Sequence, residues 1–129
     1  MAASNLSGSI LSIDYQDYAD CRVVSVTGRV DHTNSTQFLD NLSAHAEEAG
    51  GMVVDLSRLD FITSAGLRAL LMAHRTIAAK DGRMAVAGVT GSVREVFRIS
   101  KFDALLNVTD SVAEGVAQIS DAARTAYPG

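Results

Sequence analysis

A serine stands where an apolar, strand-like run gives way to a helix-like one: Asp55-Leu56-Ser57-Arg58-Leu59-Asp60-Phe61-Ile62-Thr63-Ser64-Ala65-Gly66-Leu67. In open α/β sheets, ligands and reactive groups gather where the carboxyl end of a strand meets the next helix. Two chemistries are open to Ser64 at such a mouth. As an N-cap, its hydroxyl accepts a hydrogen bond from an otherwise unpaired N–H of the first turn. As a phosphoryl acceptor, it places a phosphate against free N–H donors and the positive end of the helix dipole. Three details point beyond capping. Leu67 occupies the place where a capping box has Glu or Gln. Ala65 and Gly66 leave the first turn bare, so another protein can approach the hydroxyl closely. Gly66 also costs about 1 kcal/mol of helix propensity relative to Ala, which asks for a packing or functional reason. Arg68, one turn on, is placed either to add a charge-assisted contact or simply to solubilise the surface.

Other chemistries fail on spacing. A nucleophile elbow needs Gly two residues before the serine, and position 62 is Ile; the last histidine, His74, also comes too early for hydrolase order. Neither a G-x-x-x-x-G-K-[ST] loop nor a G-x-G-x-x-G fingerprint occurs. His32, His45 and His74 have no paired metal-ligand spacing, and Cys21 alone completes no site. Asp14, Asp17 and Asp20 lack the spacing of a calcium loop and read as a solvated hairpin. No catalytic residue, metal or cofactor is expected.

The elements that must position Ser64 follow from periodicity. Leu11, Ile13 and Tyr15 alternate with polar residues as in a half-buried strand, Asp17 to Asp20 read as a turn, and Cys21 to Thr27 as a second strand. Met52 to Leu56 and Met84 to Val89 are apolar with little alternation, the pattern of strands covered on both faces. Leu105 to Val108 suggests a short last strand. Helical spacing appears in Phe38, Leu39 and Leu42 after the cap-rich Thr33-Asn34-Ser35-Thr36, and in Leu67, Leu70, Leu71 and Ile77, a stripe that His74 joins as a partly buried residue. It recurs in Val93, Val96 and Phe97 behind Ser92 and Glu95, and in Val112, Val116 and Ile119 behind Ser111 and Glu114, both in capping-box spacing. The order predicts a single α/β domain: a mixed sheet of four to five strands, opening with an antiparallel hairpin and continuing in parallel, flanked by about four helices.

Composition limits the partners. The 129 residues suit one domain, 47% apolar content can build a core, and fifteen acids against eleven bases leave a net charge of -4. That balance speaks against nucleic acid, whose phosphates are met by clustered Lys and Arg. Apolar runs are too short for membrane insertion. A lone Cys21 suits a reducing compartment, and Met1 to Gly8 lack the pattern of a secretion signal, so a soluble cytoplasmic protein is expected. The domain is expected over 9–119, with 1–8 as a flexible lead and 120–129 as a tail.

The run Val53 to Arg75, with its D-L-S-x-L-x-F-I-x-S-A-G-L core, resembles the signature of STAS domains, specifically the bacterial anti-sigma-factor antagonists. Thr27-Gly28-Arg29-Val30-Asp31 is similar to that family's G-x-[LV]-D loop, and Gly91 to Leu106 to its third-helix segment. The likeness runs from about Ile10 to Val116. It implies a STAS fold and a binding switch in place of an enzyme. The serine phosphorylated by a partner serine kinase, itself the anti-sigma factor, falls on Ser64, and a serine phosphatase would reset it. The family's loop aspartate falls on Asp31, which without the resemblance reads equally well as an acid capping the following helix. Thr63 departs from the Asp of well-known members and offers a second-choice acceptor. The implied docking surface comprises Asp31, Thr63, Ser64, Ala65, Gly66 and Arg68. The resemblance also admits a STAS scaffold without dynamic phosphorylation, such as a subunit of a stressosome or of a lipid-transport complex.

Overall fold

The computed structural model describes residues 11–129; the expected flexible lead, 1–8, and the start of the domain at 9 lie outside them. The chain opens with an antiparallel hairpin of β1 (Leu11–Tyr18) and β2 (Cys21–Val30). It continues through α1 (Ser35–Glu48), β3 (Gly51–Ile62), α2 (Ser64–Ala79), β4 (Arg83–Ala87) and α3 (Gly91–Ser100). A short α4 (Phe102–Leu105), β5 (Val108–Thr109), α5 (Val112–Ile119) and α6 (Asp121–Ala126) complete it. The sheet order is β1-β2-β3-β4-β5, with every pair after the hairpin parallel. The mixed sheet foreseen from periodicity is therefore present, in its five-stranded form.

Two cores sandwich the sheet. Successive residues of a strand face opposite ways, so Val54 joins Phe38, Leu42, Met52, Leu70 and Phe97 beneath α1, α2 and α3, while Val53 joins Cys21, Ala85, Val116 and Ala123 beneath α5 and α6. Burial on both faces is why Met52 to Leu56 shows no alternation. The stripes read on the helices are the buried ones: Phe38 and Leu42 on α1, Leu67, Leu70 and Ile77 on α2, Val93 and Phe97 on α3. His74 is half-buried, as its place on the α2 stripe suggested.

Several boundaries differ from the sequence reading. β3 runs on to Ile62, where a short loop was expected after Leu56. It does so because β2 extends beside it to Val30, with the register slipping from Ser25↔Asp55 to Thr27↔Arg58 and from Gly28↔Leu59 to Arg29↔Phe61. Such irregularities break the polar–apolar rhythm that pattern reading relies on. The residues before the last strand form α4, leaving only Val108–Thr109 as β5. The stretch 120–129 carries α6, whose Ala123 is buried, while Tyr127 meets Tyr18 edge-on at 5.0 Å. Six helices are thus present among the described residues, where about four were expected.

The two capping boxes fare differently. Ser111 Oγ accepts from Glu114 N–H at 3.2 Å and caps α5 as expected, while Glu114 Oε1 reaches one residue past the cap and accepts from Asp110 N–H at 3.0 Å. At α3 the cap position is Thr90; Ser92 Oγ instead donates to the Asp60 carbonyl at 2.8 Å, and Glu95 pairs with Arg98 at 2.6 Å. Ser92 therefore ties α3 to β3 and caps nothing. A bond that no local pattern announced joins the other two large helices. Lys80, just past α2, donates from Nζ to the carbonyls of Ala46, Glu47 and Ala49 at 2.5, 2.8 and 2.9 Å. The ammonium's three donors meet carbonyls that the end of α1 leaves unpaired, beside the negative end of its dipole. Lys80 thereby fixes α1 against α2 at the end opposite Ser64.

Candidate functional site

The carboxyl ends of β2 and β3 deliver two loop starts side by side. Val30 and Ile62 are register partners, and the ladder continues one step further: Thr63 N–H donates to the Val30 carbonyl at 3.2 Å. Asp31 and Ser64 follow directly on the two residues that this bond joins. The sequence separates them by more than thirty positions; strand pairing brings them to one end of the sheet.

Because Thr63 still belongs to the strand ladder, its backbone is extended (φ -93°, ψ 171°), as an N-cap requires. Thr63, and not Ser64 as expected from sequence, caps α2: its hydroxyl accepts from Gly66 N–H at 3.4 Å, and its carbonyl from Leu67 N–H at 3.0 Å. Ser64 is the first helical residue. It is exposed, and its hydroxyl has no hydrogen-bond partner among the described residues. Replacing Thr63 by Ala is expected to cost about 1 kcal/mol of stability through loss of the cap. Urea denaturation reads this as a lower midpoint at unchanged slope, whereas Ser64→Ala should leave the midpoint within roughly 0.5 kcal/mol of the parent, as a surface change does.

The bare first turn has a different cause on each side. Ala65 and Arg68 are exposed and leave the approach to Ser64 open. Gly66 is buried and faces the sheet: a Cβ there would lie 2.6 Å from Ile62 Cγ1 and 3.0 Å from Val30 Cγ1. Its reason is close packing of α2 on the two strands that position the site, and it presents nothing outward. A shallow cleft between α1 and α2, lined by Ser35, Thr36, Leu39, Ala65, Arg68 and Met72, opens beside Ser64. Met72, 44% exposed, adds an apolar side chain to its lining.

Asp31 is held by its own loop. Oδ1 accepts from the hydroxyl of Thr33 and from its N–H at 2.9 Å, and Oδ2 lies 3.4 Å from Arg29 Nε. These bonds favour the ionised form, the Thr33 hydroxyl most, then its N–H, so the carboxyl stays below the usual carboxylate range. Asn34, 5% exposed, locks the backbone: Oδ1 accepts from Asp31 N–H at 2.9 Å and Nδ2 donates to the Arg29 carbonyl at 3.0 Å. Asn34 occupies the cap position of α1 but makes no side-chain cap there, because its amide serves this loop. Arg29 also stacks over Phe61, 5.1 Å from the ring centroid.

Of the expected site residues, Asp31, Thr63, Ser64, Ala65 and Arg68 lie at one end of the sheet with outward access, and Gly66 lies beneath them. Arg29, Asn34 and Phe61 went unrecognised. A cation two residues before a loop acid, at the open position of the G-x-[LV]-D loop, was the available signal for Arg29. No group of three or more His, Cys, Asp or Glu among the described residues could hold a metal ion, and no helix there is long and apolar enough to cross a membrane.

Comparison with known proteins bears on the fold and the family. Residues 13–107 match the family described as "Mlab, STAS domain". The chain is 34% identical over 107 residues to the Bordetella bronchiseptica protein BtrV, which carries the name of an anti-sigma factor antagonist; the match covers 82% of this chain and 89% of BtrV. An anti-sigma factor antagonist from Mycobacterium paratuberculosis has the same fold, with a TM-score of 0.80 at 18% identity, covering 88% of this chain and 97% of that one. The Bacillus cell fate determinant SpoIIAA, in its phosphorylated form, superposes with a TM-score of 0.62 at 18% identity, covering 86% and 100%. By matched sequence and by shared fold, the chain belongs to the STAS domain family, among the anti-sigma factor antagonists.

Proposed function

We propose that this protein is a phosphorylation-controlled binding switch in which Ser64 is the phosphoacceptor and an anti-sigma serine kinase the partner. The observation that carries the reading is the division of labour between adjacent hydroxyls. Thr63 is engaged as the cap of α2, whereas Ser64 is exposed and unengaged at the mouth of the same helix. Phosphoryl transfer from ATP forms the Oγ–P bond, expels ADP and passes the hydroxyl proton to the kinase. The helix is not disturbed, because its cap resides on the neighbouring residue. That SpoIIAA is known in a phosphorylated form supports the compatibility of the fold with such a modification.

Unmodified, Ser64, the Asp31 loop and the cleft between α1 and α2 form the surface that docks on the kinase and so frees a sigma factor in the cytoplasm. Phosphorylation adds about -1.5 to -2 charges within that contact and releases the partner. A serine phosphatase restores the binding form. The test is intact-mass spectrometry after incubation with the kinase and ATP. A single phosphoryl adduct is expected on the wild type and none on Ser64→Ala. An adduct that persists in Ser64→Ala and vanishes in Thr63→Ala would move the acceptor; absence of any adduct would favour a non-switching scaffold.

A further inference from the structure

The edge of β4 that faces β5 is paired over part of its length. Along a strand, successive residues turn their N–H and C=O groups to opposite neighbours. On the β5 side, the Val86 and Gly88 N–H groups donate to the carbonyls of Asn107 and Thr109 at 2.8 and 3.1 Å. Met84, two residues before Val86, turns the same way, but β5 begins at Val108 and pairs with Val86 and Ala87. Among the described residues, nothing bonds the N–H and C=O of Met84 on that side. Met84 is 3% exposed, and a buried backbone pair without a partner is rare enough to call for an occupant.

The missing stretch of sheet opens into a cleft of about 500 Å³ between the two helix layers. His74 of α2 lines one wall, Ala117 and Gln118 of α5 the other, and Gly82 and Arg83 the foot. Arg83 Nη1 donates to the Gln118 carbonyl at 3.2 Å, and its other donors are unengaged among the described residues. No carboxylate is among the lining residues, although the chain as a whole carries a net charge of -4.

We propose that this cleft is a docking site for a short extended segment of a partner protein, which adds to the open edge of β4 below β5 and brings an acidic side chain to Arg83. The floor defines the occupant. Met84 offers a donor and an acceptor together in the plane of the sheet, and a peptide backbone in β conformation answers both, whereas a lone anion answers the N–H alone. Paired residues of neighbouring strands share a face. Met84 faces the core beneath α1, α2 and α3, and Ala85 the core beneath α5 and α6. The residue opposite Met84 therefore turns toward His74, and the residues flanking it turn toward Arg83 and Gln118. At about 3.3 Å per residue, the gap beside Gly82 to Val86 takes roughly three residues. The cleft lies toward the amino ends of the parallel strands, whereas Ser64 stands at their carboxyl ends, so both ends of the sheet can be engaged at once and this site does not depend on Ser64 being phosphorylated.

The probe is an acetylated and amidated pentapeptide alternating glutamate and valine, added to the nitrogen-15-labelled full chain. The Met84 amide resonance should shift in a saturable way at millimolar peptide, and its hydrogen exchange should slow. The same peptide methylated at its backbone nitrogens should not bind. Arg83→Gln, a change at an exposed side chain, should weaken the peptide by about two- to fivefold, and Arg58→Gln, an exposed cation elsewhere on β3, should leave it unchanged. A Met84 amide that does not respond, equal binding of the methylated peptide, or an affinity unchanged by Arg83→Gln would each overturn the proposal. The same shift produced by free glutarate would replace it with a small-anion site, and a shift that grows with protein concentration in the absence of peptide would replace it with self-association.

Discussion

Ser64→Asp is expected to weaken binding to the cognate anti-sigma kinase by about 30-fold or more. A mismatched charge in a buried contact costs ~2–5 kcal/mol, equivalent to roughly 30- to several-thousand-fold in affinity. A carboxylate brings one charge where phosphate brings nearly two, which sets the expectation at the lower end. The substitution falls on an exposed residue that does not cap the helix, so the fold should be retained. Ser64→Ala should bind like the wild type and resist release by ATP. Titration calorimetry with the three proteins separates the cases; equal affinity of Ser64→Asp and wild type would remove the electrostatic basis of the switch.

The second large effect concerns the frame. Phe38→Ala should destabilise the domain by about 3–5 kcal/mol, the usual range for removing a fully buried phenyl group. Phe38 is completely buried in the larger core, facing the sheet from α1, whose other flank forms the cleft beside Ser64. Against a typical total of ~5–15 kcal/mol, such a loss brings a marginal domain close to unfolding. Urea denaturation should show it as a much lower midpoint, and Phe38→Leu as a smaller shift. A change below about 1 kcal/mol for Phe38→Ala would mean that α1 contributes little to the core.

What the sequence revealed and what it hid divide along a physical line. Local periodicity reports burial, so Val53 and Val54, Leu67 and Leu70, and Val93 and Phe97 announced their elements and faces. Ser64 was legible from its place at the junction and from the family resemblance. The far half of β3 was not, because Ser57, Arg58 and Asp60 are exposed there and the register slips twice. One consequence was the misplaced cap: with β3 seen as ending at Leu56, nothing showed that Thr63 still hangs on the strand ladder and must itself begin the helix. Contacts between distant segments stayed invisible for the same reason. Lys80 reaches α1 across more than thirty residues, and the Arg29–Phe61 contact exists only because the two strands pair. Gly66 shows the converse error: its rarity in a helix was noticed, but only three dimensions reveal that the missing side chain would collide with Ile62 and Val30.

The smaller core under α6 has a chemical consequence. Cys21 is 1% exposed within it, and burial, aided by the charges of Asp20 and Asp17, pushes its thiol up to about 12. Sulfur nucleophilicity requires the thiolate, so in the closed molecule this atom is inert toward alkylating dyes and peroxide near neutrality. Any loosening of the helices packed on this core would unveil it, and the rate of labelling then becomes a clock for how often they part from the sheet.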